Sequence, residues 1–113
     1  IVTNKSQRFA IPLLEQLGLR RRSACIVCGD SARRAKPHGH PLQLAGAVIG
    51  IATENCIYVG DDERDVISGR SVGMRTVVAA WGYLGNDRAP DDWGADAIAG
   101  TPGEILGSPA ATR

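Results

Sequence analysis

The chain is 113 residues long, the size of one ordinary domain and too short to enclose two independent cores. Thirteen Lys and Arg against twelve Asp and Glu leave a formal charge of +1, which excludes the broad single-sign field that draws proteins to nucleic acid or anionic membranes. Hydrophobic residues at 43% and charged residues at 22% are globular proportions that exclude disorder, collagen and coiled coil, and apolar stretches such as Ala45 to Ala52 are broken by glycine well short of the roughly 20 residues that span a bilayer.

In chain order, Ile1-Val2-Thr3 reads as the end of a strand. Ser6 is then a candidate N-cap for a helix carrying Phe9, Leu13, Leu14 and Leu17, closed by Gly18 and disturbed by Pro12, which lacks an N–H. Ala24 to Cys28 is a second, apolar strand that turns through Gly29-Asp30-Ser31 into a basic loop, Arg33 to Lys36. Pro41 opens a helix with Leu42, Leu44, Ala45 and Val48 on its apolar face, ending near Gly50. Cys56 to Val59 is a strand bounded by Gly60. Asp62 to Val72 reads as a helix with Val66, Ile67 and Val72 inward and Gly73 as its stop. Thr76 to Ala80 has the continuous apolar character of a strand buried on both faces. Trp81 to Ala95 is a loop, Asp96 to Ala99 a short edge strand, and Pro102 to Leu106 a helical turn or two. Strands alternating with helices predict an α/β fold with an open parallel sheet, in which ligands bind at the carboxyl ends of the strands.

Cys25, Cys28 and Cys56 are an odd number of thiols, which favours a reducing compartment, the cytoplasm, over a disulfide frame. Together with His38 and His40 they supply the donors of a conceivable zinc site. Cys25 and Cys28 lie in an apolar strand rather than on turns, however, so the expectation is that they are small core residues.

Three segments at strand ends could carry chemistry. Gly60-Asp61-Asp62-Glu63-Arg64-Asp65 places four acids within five positions, a cluster that suits Mg2+, held typically by one or two carboxylates with phosphate oxygens and waters completing its shell. The competing reading is an acidic first turn that complements the positive end of a helix. Lys36 could face a phosphoryl group or be a solvated loop lysine. Thr3 and Asn4 offer a hydroxyl and an amide beside a helix start, either for an anion or as a plain cap.

Taken together, Val2-Thr3-Asn4-Lys5, Lys36-Pro37-His38 and Tyr58-Val59-Gly60-Asp61-Asp62-Glu63-Arg64-Asp65, followed by Gly73-Met74-Arg75-Thr76-Val77-Val78 and Trp81-Gly82-Tyr83, resemble the haloacid dehalogenase-like phosphatases. Within these the chain is most similar to the phosphoglycolate phosphatase group. The resemblance implies a Rossmann-like three-layer α/β/α fold and hydrolysis of a small phosphate monoester through an aspartyl-phosphate, with Mg2+ as cofactor. It also implies that Thr3 and Asn4 bind the phosphoryl group and that Lys36 neutralises it and orients the nucleophile. Asp61 would ligate the metal, and Asp65 would support Lys36 or the metal's waters. Asp62 is given no role. Phosphoglycolate is the implied substrate, with sugar phosphates, pyrophosphate and nucleotides as alternatives.

Such an enzyme also needs a nucleophilic Asp and an acid/base Asp two residues on, in a DxDGT-like motif on a central strand, and no Asp-x-Asp follows an apolar strand here. Residues 1–107 are therefore expected to be the C-terminal portion of a core domain, without the nucleophile strand and helical cap, and 108–113 a flexible tail. Upstream residues or another chain would complete the sheet, and the segment alone would be inactive. The competing function is a non-catalytic binding or interaction module on the same scaffold. A phospho-acceptor signalling domain has its acids before its Thr and Lys, the reverse of the order here. Arg20-Arg21-Arg22 and Arg33-Arg34 are short solvated runs, so no nucleic-acid partner is expected. A dinucleotide site lacks its glycine fingerprint.

Overall fold

The computed structural model describes residues 1–31, 38–81 and 89–107. Its sheet consists of β1 (Ile57–Gly60), β2 (Arg75–Ala79) and β3 (Ala97–Ala99), all parallel and in sequence order. Ile57 pairs with Arg75 and Gly60 with Val78, while Val77 pairs with Ala97 and Ala79 with Ala99. The β-branched run of β2 is central, as predicted. Consecutive strand residues point to opposite faces, and each face of β2 has its own cluster. Val78 packs with Val66 and Trp93 on one side, and Val77 packs with Ala99, Ile57 and Ile105 on the other. The Asp96 carboxylate accepts from the Thr76 N–H at 2.7 Å while the Asp96 N–H donates to the Thr76 carbonyl at 3.0 Å, which sets where β3 begins.

The two segments predicted as the first strands meet at a single parallel bridge, Val2 to Val27, rather than as full strands. The Val27 N–H donates to the Ile1 carbonyl and the Thr3 N–H to the Val27 carbonyl, both at 2.9 Å. Among the described residues β1 pairs with one strand, β2. Between its other edge and the Val2 segment lies a cavity of about 220 Å3 lined by Ile1, Val2, Cys25, Leu42, Ile57 and Tyr58, among others. The Tyr58 hydroxyl crosses the seam and donates to the Val2 carbonyl at 3.2 Å. Val59 on β1 is 37% exposed, although its register partner Val77 is buried.

Three helices clothe the sheet: α1 (Gln7–Gln16), α2 (His40–Ile49) and α3 (Glu63–Ser71). α1 connects the Val2 and Val27 segments, and α3 packs on β1 and β2. α1 runs through Pro12, whose missing N–H would have donated to the Arg8 carbonyl. It buries Ala10 and Leu14, whereas Phe9, Leu13 and Leu17 are exposed, Leu17 by 61%. The predicted apolar set is thus a half-covered stripe. Val48 and Ile67, expected to face inward, are also exposed. α2 instead buries Pro41, Leu42, Ala45 and Gly46, and α3 buries Val66, Ser68 and Gly69, because close packing favours its small residues: a side chain on Gly69 would collide with Thr76. Among the described residues no helix is long and apolar enough to cross a membrane.

Candidate functional site

The acid cluster follows β1 directly and is organised by its own hydrogen bonds. Asp62 is the N-cap of α3: its Oδ1 accepts from the Arg64 N–H at 3.0 Å, and its side chain forms one half of a capping box. Asp65 supplies the other half. Its Oδ2 accepts from the backbone N–H groups of both Asp61 and Asp62 at 3.2 Å, and the residue is only 6% exposed. This reciprocal arrangement satisfies donors that a helix start otherwise leaves unpaired. It depends on Gly60, because a Cβ there would overlap the Asp65 carboxyl.

The Asp62 carboxylate is further engaged by Arg64, through Nη2 at 3.3 Å and Nε at 3.2 Å. The hydrogen bond and charge of Asp62, followed by the fields of Asp65 and Asp61, hold the Arg64 guanidinium above its usual range. The Asp61 carboxylate differs from these: among the described residues it takes part in no hydrogen bond or salt bridge. The loop therefore commits Asp62 and Asp65 to its own architecture and presents Asp61 at the strand tip. The acidic first turn expected of the cluster is formed by Asp62 and Asp65. The D-x-x-D spacing of Asp62 and Asp65 at a helix start is the sequence signal of this capping box.

Thr3 and Asn4 stand at the carboxyl end of the Val2 segment. The Thr3 Oγ1 accepts from the Lys5 N–H at 3.2 Å, leaving its own proton free to donate outward. The neighbouring tip, Gly29-Asp30-Ser31, locks onto this turn. The Gly29 N–H donates to the Lys5 carbonyl at 2.9 Å, and a Cβ on Gly29 would run into the Asn4 carbonyl. Ser6 occupies the N-cap position of α1 without a side-chain cap. Asp30 does that work instead, its Oδ1 accepting from the Gln7 N–H at 3.0 Å, while the Ser31 Oγ accepts from Gln7 Nε2 at 3.3 Å and from the Cys28 N–H at 3.0 Å. No local pattern in the sequence marked Asp30 as the cap of a helix that starts 23 residues earlier.

Lys36, Arg33-Arg34 and Gly82-Tyr83 lie outside the described residues, as does 108–113. Just beyond Lys36 the chain is anchored: the buried Ser68 hydroxyl donates to the His38 carbonyl at 2.8 Å, and Gly39 abuts Ser71 and Val72. The His38 and His40 rings meet edge-on at 4.4 Å. Among the described residues no three His, Cys, Asp or Glu side chains are grouped to hold a metal. A Mg2+ ion requires less, and a single hard oxygen at a strand tip, with another carboxylate, waters and phosphate oxygens around it, fits its habit.

All three cysteines are free. Cys28 is 1% exposed; burial first, then the charge of Asp30, pushes its thiol up, against the Ser31 hydrogen bond. Its thiolate fraction at pH 8 is correspondingly depressed. Peptide mass spectrometry after iodoacetamide treatment is expected to find Cys28 modified about tenfold more slowly than Cys25 and Cys56. The sign for folding follows. The stability tied to the neutral thiol is intact below the ordinary thiol range and is lost as pH rises through the raised value.

Residues 1–79 match the family model for haloacid dehalogenase-like hydrolase, and the chain belongs to that family. It is 42% identical over 105 residues to the N-acetylmuramic acid 6-phosphate phosphatase of Pseudomonas putida, covering 93% of this chain and 47% of that protein. It is 45% identical over 105 residues to the phosphoglycolate phosphatase of Xanthomonas campestris pv. campestris, covering 93% and 48%. Among solved structures it is similar to a predicted phosphoglycolate phosphatase from Haemophilus somnus, with a TM-score of 0.85, 25% identity and coverage of 94% and 47%. The chain thus spans about half the length of the curated relatives it matches.

Proposed function

We propose that the chain is the C-terminal part, residues 1–107, of the catalytic core of a Mg2+-dependent phosphatase that hydrolyses a small phosphate monoester. The observation that carries this reading is the division of labour after β1, where two acids fold the loop and the Asp61 carboxylate is left outward at the carboxyl rim. When bound, Mg2+ would draw off phosphoryl charge that otherwise repels an incoming carboxylate.

In this proposal Asp61 holds the metal. The Thr3 hydroxyl donates to a phosphoryl oxygen, with Asn4 beside it, and Lys36 adds a cation to the same group. Asp65 acts on the site by fixing the backbone that aims Asp61. The nucleophilic carboxylate comes from outside this chain. The pairing of β1 with β2 alone among the described strands, the adjacent cavity and the exposed Val59 support a further strand beside β1, supplied upstream or by another chain. Unpaired strand edges and exposed apolar faces are costly to leave in water. Free thiols support a cytoplasmic location.

Relatives named for phosphoglycolate and for N-acetylmuramic acid 6-phosphate point to one substrate class, phosphate monoesters that also carry a carboxylate. The test is release of inorganic phosphate from a panel of monoesters by the complete polypeptide, with and without Mg2+, beside residues 1–113 alone. The expected result is Mg2+-dependent turnover by the complete protein and none by the segment. Turnover by the segment would remove the need for an outside nucleophile. No turnover by the complete protein on any ester would leave the non-catalytic module as the better reading.

A further inference from the structure

We propose that Lys5 is the specificity residue that reads the carboxylate of the substrate, an inference that rests on the phosphatase reading above. A site that accepts a phosphate monoester and also prefers an acid needs a second cation, near the phosphoryl position but not consumed by it. Lys5 lies two residues after Thr3, and its backbone is pinned on both sides: its N–H donates to Thr3 Oγ1 at 3.2 Å and its carbonyl accepts from Gly29 at 2.9 Å. The base of the side chain is therefore fixed relative to the Thr3 hydroxyl, while the side chain itself is exposed.

The other described cations are engaged or stand elsewhere. Arg64, also at the carboxyl rim, is bound to Asp62. Arg8, in the first turn of α1, lies over the Phe9 ring at 4.7 Å. Arg70 donates to the Gly94 carbonyl at 2.8 Å. Arg20, Arg21 and Arg22 follow the far end of α1, which runs away from the rim, and Arg20 pairs with Glu15. Arg75 opens β2 at the amino end of the sheet. Among the described residues no acidic side chain pairs with the Lys5 ammonium. An ammonium on a flexible stem can meet a carboxylate set at different distances from the phosphate, as it is in phosphoglycolate and in N-acetylmuramic acid 6-phosphate.

The experiment compares the complete wild-type polypeptide with Lys5→Met and Lys5→Arg on matched esters. These are 2-phosphoglycolate against 2-hydroxyethyl phosphate, and N-acetylmuramic acid 6-phosphate against N-acetylglucosamine 6-phosphate. Within the pair that it turns over, the wild type is expected to prefer the acid. Lys5→Met should raise KM for the acid roughly tenfold to a hundredfold, leave kcat/KM for the carboxylate-free ester within about twofold, and keep the unfolding midpoint; Lys5→Arg should keep most of the preference. Equal loss on both members of a pair, or no change on either, overturns the assignment. So does a wild type that hydrolyses both members equally well, an outcome that leaves the phosphatase reading standing. A wild type that hydrolyses none of the four overturns both.

Discussion

Asp61→Ala in the complete polypeptide is expected to lower Mg2+-dependent phosphate release by about a thousandfold while leaving the unfolding midpoint unchanged or slightly higher. The two halves of that expectation have different causes. A metal that neutralises phosphoryl charge is worth several kcal/mol in a transition state, and each ~1.4 kcal/mol is a factor of ten. Among the described residues, by contrast, the hydrogen bond that Asp61 makes is from its backbone N–H to Asp65, and it survives the substitution. Removing one of four crowded acids also relieves like-charge repulsion. Steady-state kinetics across a Mg2+ titration and a thermal melt read the two halves. Retention of more than a tenth of the activity, or a large fall in the midpoint, would show that Asp61 has been assigned the wrong work.

The largest effect on stability is expected from Gly60→Ala, at about 3 kcal/mol. The added methyl overlaps both the carboxyl and the Cβ of Asp65, so the first turn of α3 must shift as well as Asp65 turn away, releasing the Asp61 and Asp62 N–H groups. Overpacking costs about 1–3 kcal/mol and loss of a cap about 1 kcal/mol. Because the collision partner is a side chain, a double-mutant cycle isolates it. Asp65→Gly also loses the cap, but in its background Gly60→Ala meets neither the carboxyl nor the Cβ of Asp65, and the two costs should fall well short of adding. Urea unfolding of the four proteins measures this, and simple additivity would mean that Gly60 and Asp65 do not touch.

The alternation of apolar runs with capped, periodic segments made the parallel sheet and α3 legible, because strand and helix periods are local properties of the chain. The family was legible because the Thr3, Lys36 and Asp61 motifs follow one another in order along the chain, with the Gly60-to-Asp65 run and the Gly73-Met74 segment as the specific part. Burial was less legible. Phe9, Leu13, Leu17, Val48 and Ile67 are apolar at helical spacing yet exposed, since periodicity says which residues share a face and not whether anything lies against it. The Val2 and Val27 segments have strand composition but meet at one bridge, because a strand is completed by its neighbours. The distinction between Asp61 and Asp65 lay in hydrogen-bond geometry, which the bare run of acids does not contain.

The start of α1 shows how far apart a cause and its effect can lie along the chain. Its first amide is held by Asp30, and Gln7 reaches to Ser31, while Pro12 interrupts its ladder and its N-cap serine forms no side-chain cap. A ten-residue helix with such credentials is marginal by itself. Its first turn is held by the Gly29-Asp30-Ser31 tip, which also holds the turn that carries Thr3 and Lys5, so both rest on the contact between the Val2 and Val27 segments.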